Sequence, residues 1–160
     1  MDKLTIIITG GSGNLAQKLI TKISEKDLNI ELLVVSRNPL DSLENVSYIT
    51  WEKFDSLKSL NVDVLFHLAA IRLGSAFMEN LALNKRVESF VLKNLVKKVI
   101  YTSTRGVYGL SRELKFEDSA INPINCYSYS KLLGERLLHN ASSNVITLRL
   151  AQVLSKSERK

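Results

Sequence analysis

A chain of 160 residues, 45% hydrophobic and 24% charged, is long enough to bury a core and too apolar to stay disordered. No apolar run approaches the ~18 residues that a membrane span needs, and one cysteine (Cys126) with two histidines allows neither an internal disulfide nor a metal cage, so no metal site is expected. The net charge of +6 is scattered and lacks aromatic interleaving, which argues against a nucleic-acid surface.

The first residues lead directly into a strand-like run without the flanks of a signal peptide, and the expected location is cytoplasmic. Apolar, β-branched runs at residues 4–8, 31–35, 46–50, 62–66, 99–102 and 145–150 predict strands, most of them apolar throughout, as in a parallel sheet covered on both faces. Between them, Leu15, Leu19 and Ile23 recur every fourth residue, as do Leu83, Val87, Val91 and Leu95, and a leucine-rich helix follows Tyr127. Such alternation predicts an α/β fold with a doubly wound parallel sheet, Rossmann-like, in three layers αβα. Residues 1–155 form one cofactor-binding domain on this reading, and 156–160 a charged tail or truncation point. The loosest stretch is 109–125, which contains Pro123.

The first strand runs into Thr9-Gly10-Gly11-Ser12-Gly13-Asn14-Leu15-Ala16 and then a helix. A glycine lets the chain reverse, a second lets backbone approach a pyrophosphate, and the helix N-terminus offers unpaired N–H groups to the anion. Gly10 and Gly13 fit these roles, with Asn14 and Leu15 opening the helix and Ala16 small enough to pack on the strand. A glycine-rich turn without a ligand is the bland alternative; the strand before and helix after favour the binding reading.

An acidic residue ends the second strand of many NAD-binding units, where it bonds the ribose. Here the strand ends Val35-Ser36-Arg37-Asn38, with no carboxylate. Arg37 suits a 2′-phosphate and Ser36 adds a hydrogen bond, so NADP(H) is expected over NAD(H).

Tyr127 and Lys131 stand four apart on one helix face, where a lysine cation lowers a phenol's pKa from its ordinary ~10 toward a usable acid/base range. Tyr129 should point elsewhere. By itself such a pair is common on helices; order and spacing along the chain raise it. The glycine turn is followed by Asp63-Val64-Leu65-Phe66-His67-Leu68-Ala69-Ala70, then by Tyr101-Thr102-Ser103-Thr104-Arg105-Gly106-Val107-Tyr108-Gly109, then by the Tyr127–Lys131 motif. In this the chain resembles the extended branch of the short-chain dehydrogenase/reductase superfamily, the NAD(P)-dependent epimerase/dehydratases acting largely on nucleotide sugars.

The resemblance implies that Leu68, Ala69 and Ala70 pass beside the cofactor, and that Thr104, five residues before Gly109, bonds the reacting oxygen with Ser103 as its supporting neighbour. Tyr127 would exchange a proton with substrate, and Lys131 would bond the nicotinamide ribose and tune the tyrosine. Asn80, on the stripe of Leu83 and Val87, is expected to be a buried support for the strand carrying the catalytic hydroxyl, and His67 to be packing. Pairing through two helices, one of them carrying Tyr127, is common in the family and makes a homodimer the expected assembly.

Departures from the family pattern are Cys126, where proline often precedes the tyrosine, and Gln152 in Arg149-Leu150-Ala151-Gln152-Val153-Leu154-Ser155, where the family has asparagine. Family members also continue about as long again, so the C-terminal substrate lobe is expected to be missing and this polypeptide to turn over weakly alone. The leading expectation is nucleotide-sugar epimerase, dehydratase or reductase chemistry through a keto intermediate. Its rivals are a non-catalytic NADP(H)-binding module or enzyme fragment, and a reductase of a non-sugar carbonyl.

Overall fold

The computed structural model describes residues 3–26, 29–38, 45–72, 76–151 and 153; Gln152 and the 156–160 tail therefore lie outside the described residues. Six parallel strands form the main sheet: β1 (Leu4–Thr9), β2 (Ile30–Val35), β3 (Val46–Ile49), β5 (Val64–His67), β7 (Val99–Thr104) and β8 (Val145–Leu150), in spatial order β3-β2-β1-β5-β7-β8. From β1 the chain builds outward to β3, then returns to β1's other side and builds toward β8. The reversal of direction between β1 and β5 opens a crevice at the carboxyl ends of those strands, the usual place for a ligand in an open α/β sheet.

Among the described residues, four α-helices join the strands: α1 (Asn14–Ser24), α2 (Trp51–Ser56), α3 (Phe77–Lys93) and α4 (Cys126–Ala141). Among the described residues none is long and apolar enough to cross a membrane. Because side chains alternate along a strand, neighbouring isoleucines of β1 serve opposite faces. Ile8 packs with Ala16, Ile20, Leu32 and Val34 beneath α1. Ile7 packs with Phe54, Leu65, Val87, Phe90 and Leu138 beneath α2, α3 and α4. Phe54 stacks on Phe90 with ring centres 4.3 Å apart, which ties α2 to α3.

Three features depart from the sequence-based expectation. The expected strand 62–66 is divided. Val62 belongs to β4 (Asn61–Val62), which pairs with β6 (Leu95–Val96) in a separate two-stranded sheet. Asp63 at the break accepts from Thr5 N at 2.8 Å and from Lys97 Nζ at 2.7 Å. Helix α2 was not foreshadowed; Thr50 caps it by accepting from Lys53 N. Finally, the row Ile8, Phe66, Ile100, Ile146 crosses the sheet on the α1 side. It runs from full burial at Ile8 to 43% exposure at Ile146, because α1 covers only the β1–β2 half of that face.

Candidate functional site

The crevice consists of two adjoining cavities, of about 550 and 430 Å³, which share Ser12, Gly13, Leu68 and Ala70. The floor of the shared region is the turn after β1. The N–H groups of Gly10 and Gly11 both donate to Val35 O at 3.0 Å, folding the turn onto the end of β2. Gly10 has φ +80°, and a Cβ there would lie 2.7 Å from the Ala69 backbone, so both conformation and clearance demand glycine. Gly11, not singled out in the sequence, is constrained by clearance alone, since a Cβ would collide with the Val34 side chain. Gly13 is the N-cap of α1 and supplies no side-chain bond, and the first turn of α1 holds no acidic residue. Its leading N–H groups, from Asn14 and Leu15 onward, are left for an anion.

At the tip of β2, Ser36 and Arg37 line the larger cavity with Trp51 and Arg86. Ser36 is buried and its hydroxyl donates to Asn38 O at 3.3 Å. Arg37 is exposed and makes no ion pair among the described residues. Arg86, on α3, is occupied: it pairs with Asp55 at 2.7 Å and lies over the Trp51 ring at 4.9 Å.

The segment after β5 supplies the opposite wall. Leu68 N donates to Thr9 O, and Leu68, Ala69 and Ala70 all border the larger cavity. Asn80, 2% exposed, clasps this wall by accepting from Ile71 N at 2.8 Å and donating to Ile71 O at 2.9 Å. It is thus a buried support, but for the backbone after β5 rather than for the strand bearing Thr104.

Thr104, Tyr127 and Lys131 line the smaller cavity together, with Ser103 beside them. Thr104 ends β7, and its hydroxyl accepts from Gly106 N at 3.2 Å, opening the 3-10 turn Arg105–Tyr108. Helix α4 begins at Cys126 because Asn125 caps it, accepting from Ser128 N at 2.8 Å; this sets Tyr127 in the first turn and Lys131 one turn on. Tyr127 is half-buried, whereas Tyr129 is 50% exposed and points away. Ser103 donates to the buried Glu135, which Arg149 grips through Nε at 3.1 Å and Nη2 at 2.8 Å.

The electrostatics differ from the expected lysine–tyrosine coupling. Burial pushes the Tyr127 phenol up, and the opposing cation is Arg72. Burial also pushes the Lys131 ammonium down to about 7, against the pull of Glu135. Lys131 Nζ sits over the ring of Tyr101, 4.3 Å from its centre. Among the described residues, Lys18, Arg72 and Lys131 all line the smaller cavity, and no carboxylate does. A dianionic diphosphate fits that charge and the uncapped start of α1.

Sequence reasoning missed Lys18, Arg72, Tyr101 and Asn84. Lys18 stands one turn after Asn14, a spacing that could have flagged it. Asn84 lies one turn beyond Asn80 and is 2% exposed. It meets His67 Nε2 at 3.0 Å and donates to Ser130 O at 3.1 Å. His67, fully buried, also meets Thr9 Oγ1 at 2.7 Å. Burial above all, then Lys131, pushes its imidazole down to about 3, so it is neutral.

Comparison with known proteins adds an independent line. The dTDP-4-dehydro-6-deoxyglucose reductase of Escherichia coli is 28% identical over 181 aligned positions, covering 96% of this chain and 57% of that protein. The ADP-L-glycero-D-manno-heptose-6-epimerase of Cupriavidus pinatubonensis is 25% identical, covering 97% of this chain and 53% of that one. The chain thus spans little more than half the length of these curated relatives. Among solved structures, UDP-glucuronic acid 4-epimerase from Bacillus cereus, in complex with NAD, superimposes with a TM-score of 0.79 at 21% identity, over 93% of this chain and 56% of that chain. At that identity it speaks for the fold alone. The Bordetella bronchiseptica enzyme WbmG, in complex with NAD, gives a TM-score of 0.77 at 25% identity, over 92% and 53%. The family described as the NAD dependent epimerase/dehydratase family matches residues 6–160, and with the parallel sheet and its glycine turn this establishes that the chain belongs to that family.

Proposed function

We propose that the protein is an NAD(P)-dependent enzyme acting on a nucleotide sugar by epimerase, dehydratase or reductase chemistry, with Tyr127, Lys131 and Thr104 as its reacting set. The observation that carries this reading is the continuity of the crevice: the turn at Gly10–Gly13 and the Tyr127–Lys131–Thr104 group open on cavities with shared walls. The diphosphate of the cofactor would lie on Gly10, Gly13, Asn14 and Leu15. Its nicotinamide end would lie toward Tyr127 and Lys131, and Leu68, Ala69 and Ala70 would flank it. Bound there, the cofactor supplies hydride exchange with a substrate carbon, the difficult part of the chemistry.

The chain's own groups handle the oxygen and its proton. Thr104 donates a hydrogen bond to the reacting oxygen and fixes its distance from the phenol. Tyr127, held protonated by burial, gives its proton to a developing alkoxide, or takes one back when the substrate hydroxyl is oxidised to the ketone. Lys131, as its ammonium, steadies the phenolate that remains. Arg37 and Ser36 support NADP(H) over NAD(H), since no carboxylate ends β2 to receive a free 2′-hydroxyl. Exposed Met78 and Leu92 on α3 and Tyr129 on α4 support pairing of two copies through these helices.

Tyr127→Phe tests the catalytic reading. Turnover of nucleotide sugars should fall at least ~100-fold while cofactor affinity stays within about twofold, because the ring is kept and only the acid is lost. An unreduced rate, or a parent that transforms no nucleotide sugar while reducing simpler carbonyls, overturns it.

A further inference from the structure

Beneath the crevice, the buried Lys131 meets a polar cluster made by Tyr101 and Asn84. Lys131 is 2% exposed, and among the described residues its ammonium makes no hydrogen bond or ion pair. The nearby carboxylate of Glu135 is engaged by Arg149 and Ser103. The group that faces the ammonium is the ring of Tyr101, with Nζ 4.3 Å from its centre. The negative face of an aromatic ring attracts a cation, most strongly where water is excluded.

Tyr101 is itself fixed from several sides. It is fully buried, and its hydroxyl lies 3.3 Å from both Asn84 Oδ1 and Lys131 O. Its ring leans on His67 at 5.4 Å. The hydroxyl reaches α4 only because position 134 is glycine, where a Cβ would collide with Tyr101 Oη and lie 2.7 Å from Asn84 Nδ2. Burying a phenol costs free energy unless its hydroxyl finds a partner, and phenylalanine would fill a purely apolar slot. Asn84 in turn is held by its bond to Ser130 O, on the same turn of α4 as Lys131.

We propose that Tyr101 is a positioning residue: its ring face seats the Lys131 ammonium at the floor of the crevice, and Asn84 and the gap at Gly134 hold the ring in that attitude. This rests on the reading of Lys131 as a group that works on the cofactor and on Tyr127. The titratable and charged groups around Lys131 are Tyr127 and Glu135 from α4, Tyr101 from β7, His67 from β5 and Arg72 from the segment after it. With burial pushing the ammonium down to about 7, a change in its seat alters its charge near neutral pH.

The test uses the 160-residue chain carrying 13Cε-labelled lysine, followed by NMR from acid to alkaline pH, with Lys131→Met assigning the resonance. In the parent, the Lys131 Hε protons should resonate upfield of the other lysines, because they stand over a ring face. An ordinary lysine shift overturns the proposal without any variant having to fold. Tyr101→Phe keeps the ring but loosens its hold, and should move the Lys131 midpoint by much less than loss of the ring does. Tyr101→Leu removes it and should lower the midpoint by about one pH unit, a tenfold loss of proton affinity. A midpoint in Tyr101→Leu that is unchanged or raised overturns the seat, as does an equal fall in Tyr101→Phe. NADPH affinity of Lys131→Met tests the underlying reading separately: an unweakened affinity sinks that reading, while the shifts and midpoints still decide Tyr101.

Discussion

Arg37 and Lys131 bring charge to opposite ends of the crevice under contrasting conditions, one exposed and one buried. Exposure lets the Arg37 guanidinium fork onto a phosphate. Removing it in Arg37→Ala should weaken NADPH about 10- to 100-fold, the range for a lost charge-assisted hydrogen bond, and leave NADH within about twofold. Fluorescence titration of both cofactors checks this, and equal losses for the two would contradict the 2′-phosphate role. Residues of this kind were legible because they sit at motif spacings: Arg37 ends a strand, and Tyr127 and Lys131 share a helix face after the segment ending at Gly109. Tyr101, Asn84 and Gly134 were not legible. Their partnership spans 17 residues in one direction and about twice that in the other, and only the packing of α3 against α4 and β7 makes them neighbours. The lean of Lys131 onto Tyr101 was hidden for the same reason, since adjacency on a helix does not tell which ring a long side chain will lie against.

At the scale of elements, the main strands could be read closely because most are apolar runs rich in β-branched residues, whereas β4 and β6 are two residues long and carry no periodicity. The contact that binds elements together most economically is the imidazole of His67, on β5. It accepts from the Thr9 hydroxyl at the end of β1 and donates from Nε2 to Asn84 Oδ1 on α3, a tautomer that follows from Asn84 using its nitrogen on Ser130 O. This arrangement has a pH signature. The folded state keeps the ring neutral down to about 3, while the unfolded chain takes up a proton below its ordinary ~6.5. The unfolded state therefore binds more protons in that window, and stability must fall as pH drops through it, by up to about 1.4 kcal/mol per pH unit. His67→Gln, which keeps hydrogen bonding without titrating, should flatten the decline. Urea midpoints compared near about pH 7 and about pH 5 for parent and variant measure it; parallel declines would remove His67 as the cause.

On the scale of the whole molecule, the sheet is a partition. Ile20 of α1 and Leu138 of α4 belong to apolar clusters on its two sides that hold no buried residue in common. Ile20→Val should cost about 0.5–1.5 kcal/mol and Leu138→Ala about 2–5 kcal/mol. With β1, β5 and β7 between them, the double variant should lose the sum to within about 0.5 kcal/mol, as chemical denaturation can show. A larger discrepancy would mean that the strands pass strain from one face to the other. The glycine turn and the first turn of α1 are fastened mainly to one compartment, and α4 with its tyrosine and lysine to the other. On the reading proposed above, selection can re-tailor the grip on the dinucleotide and the apparatus that moves protons as two separate inheritances, which meet where the strands end.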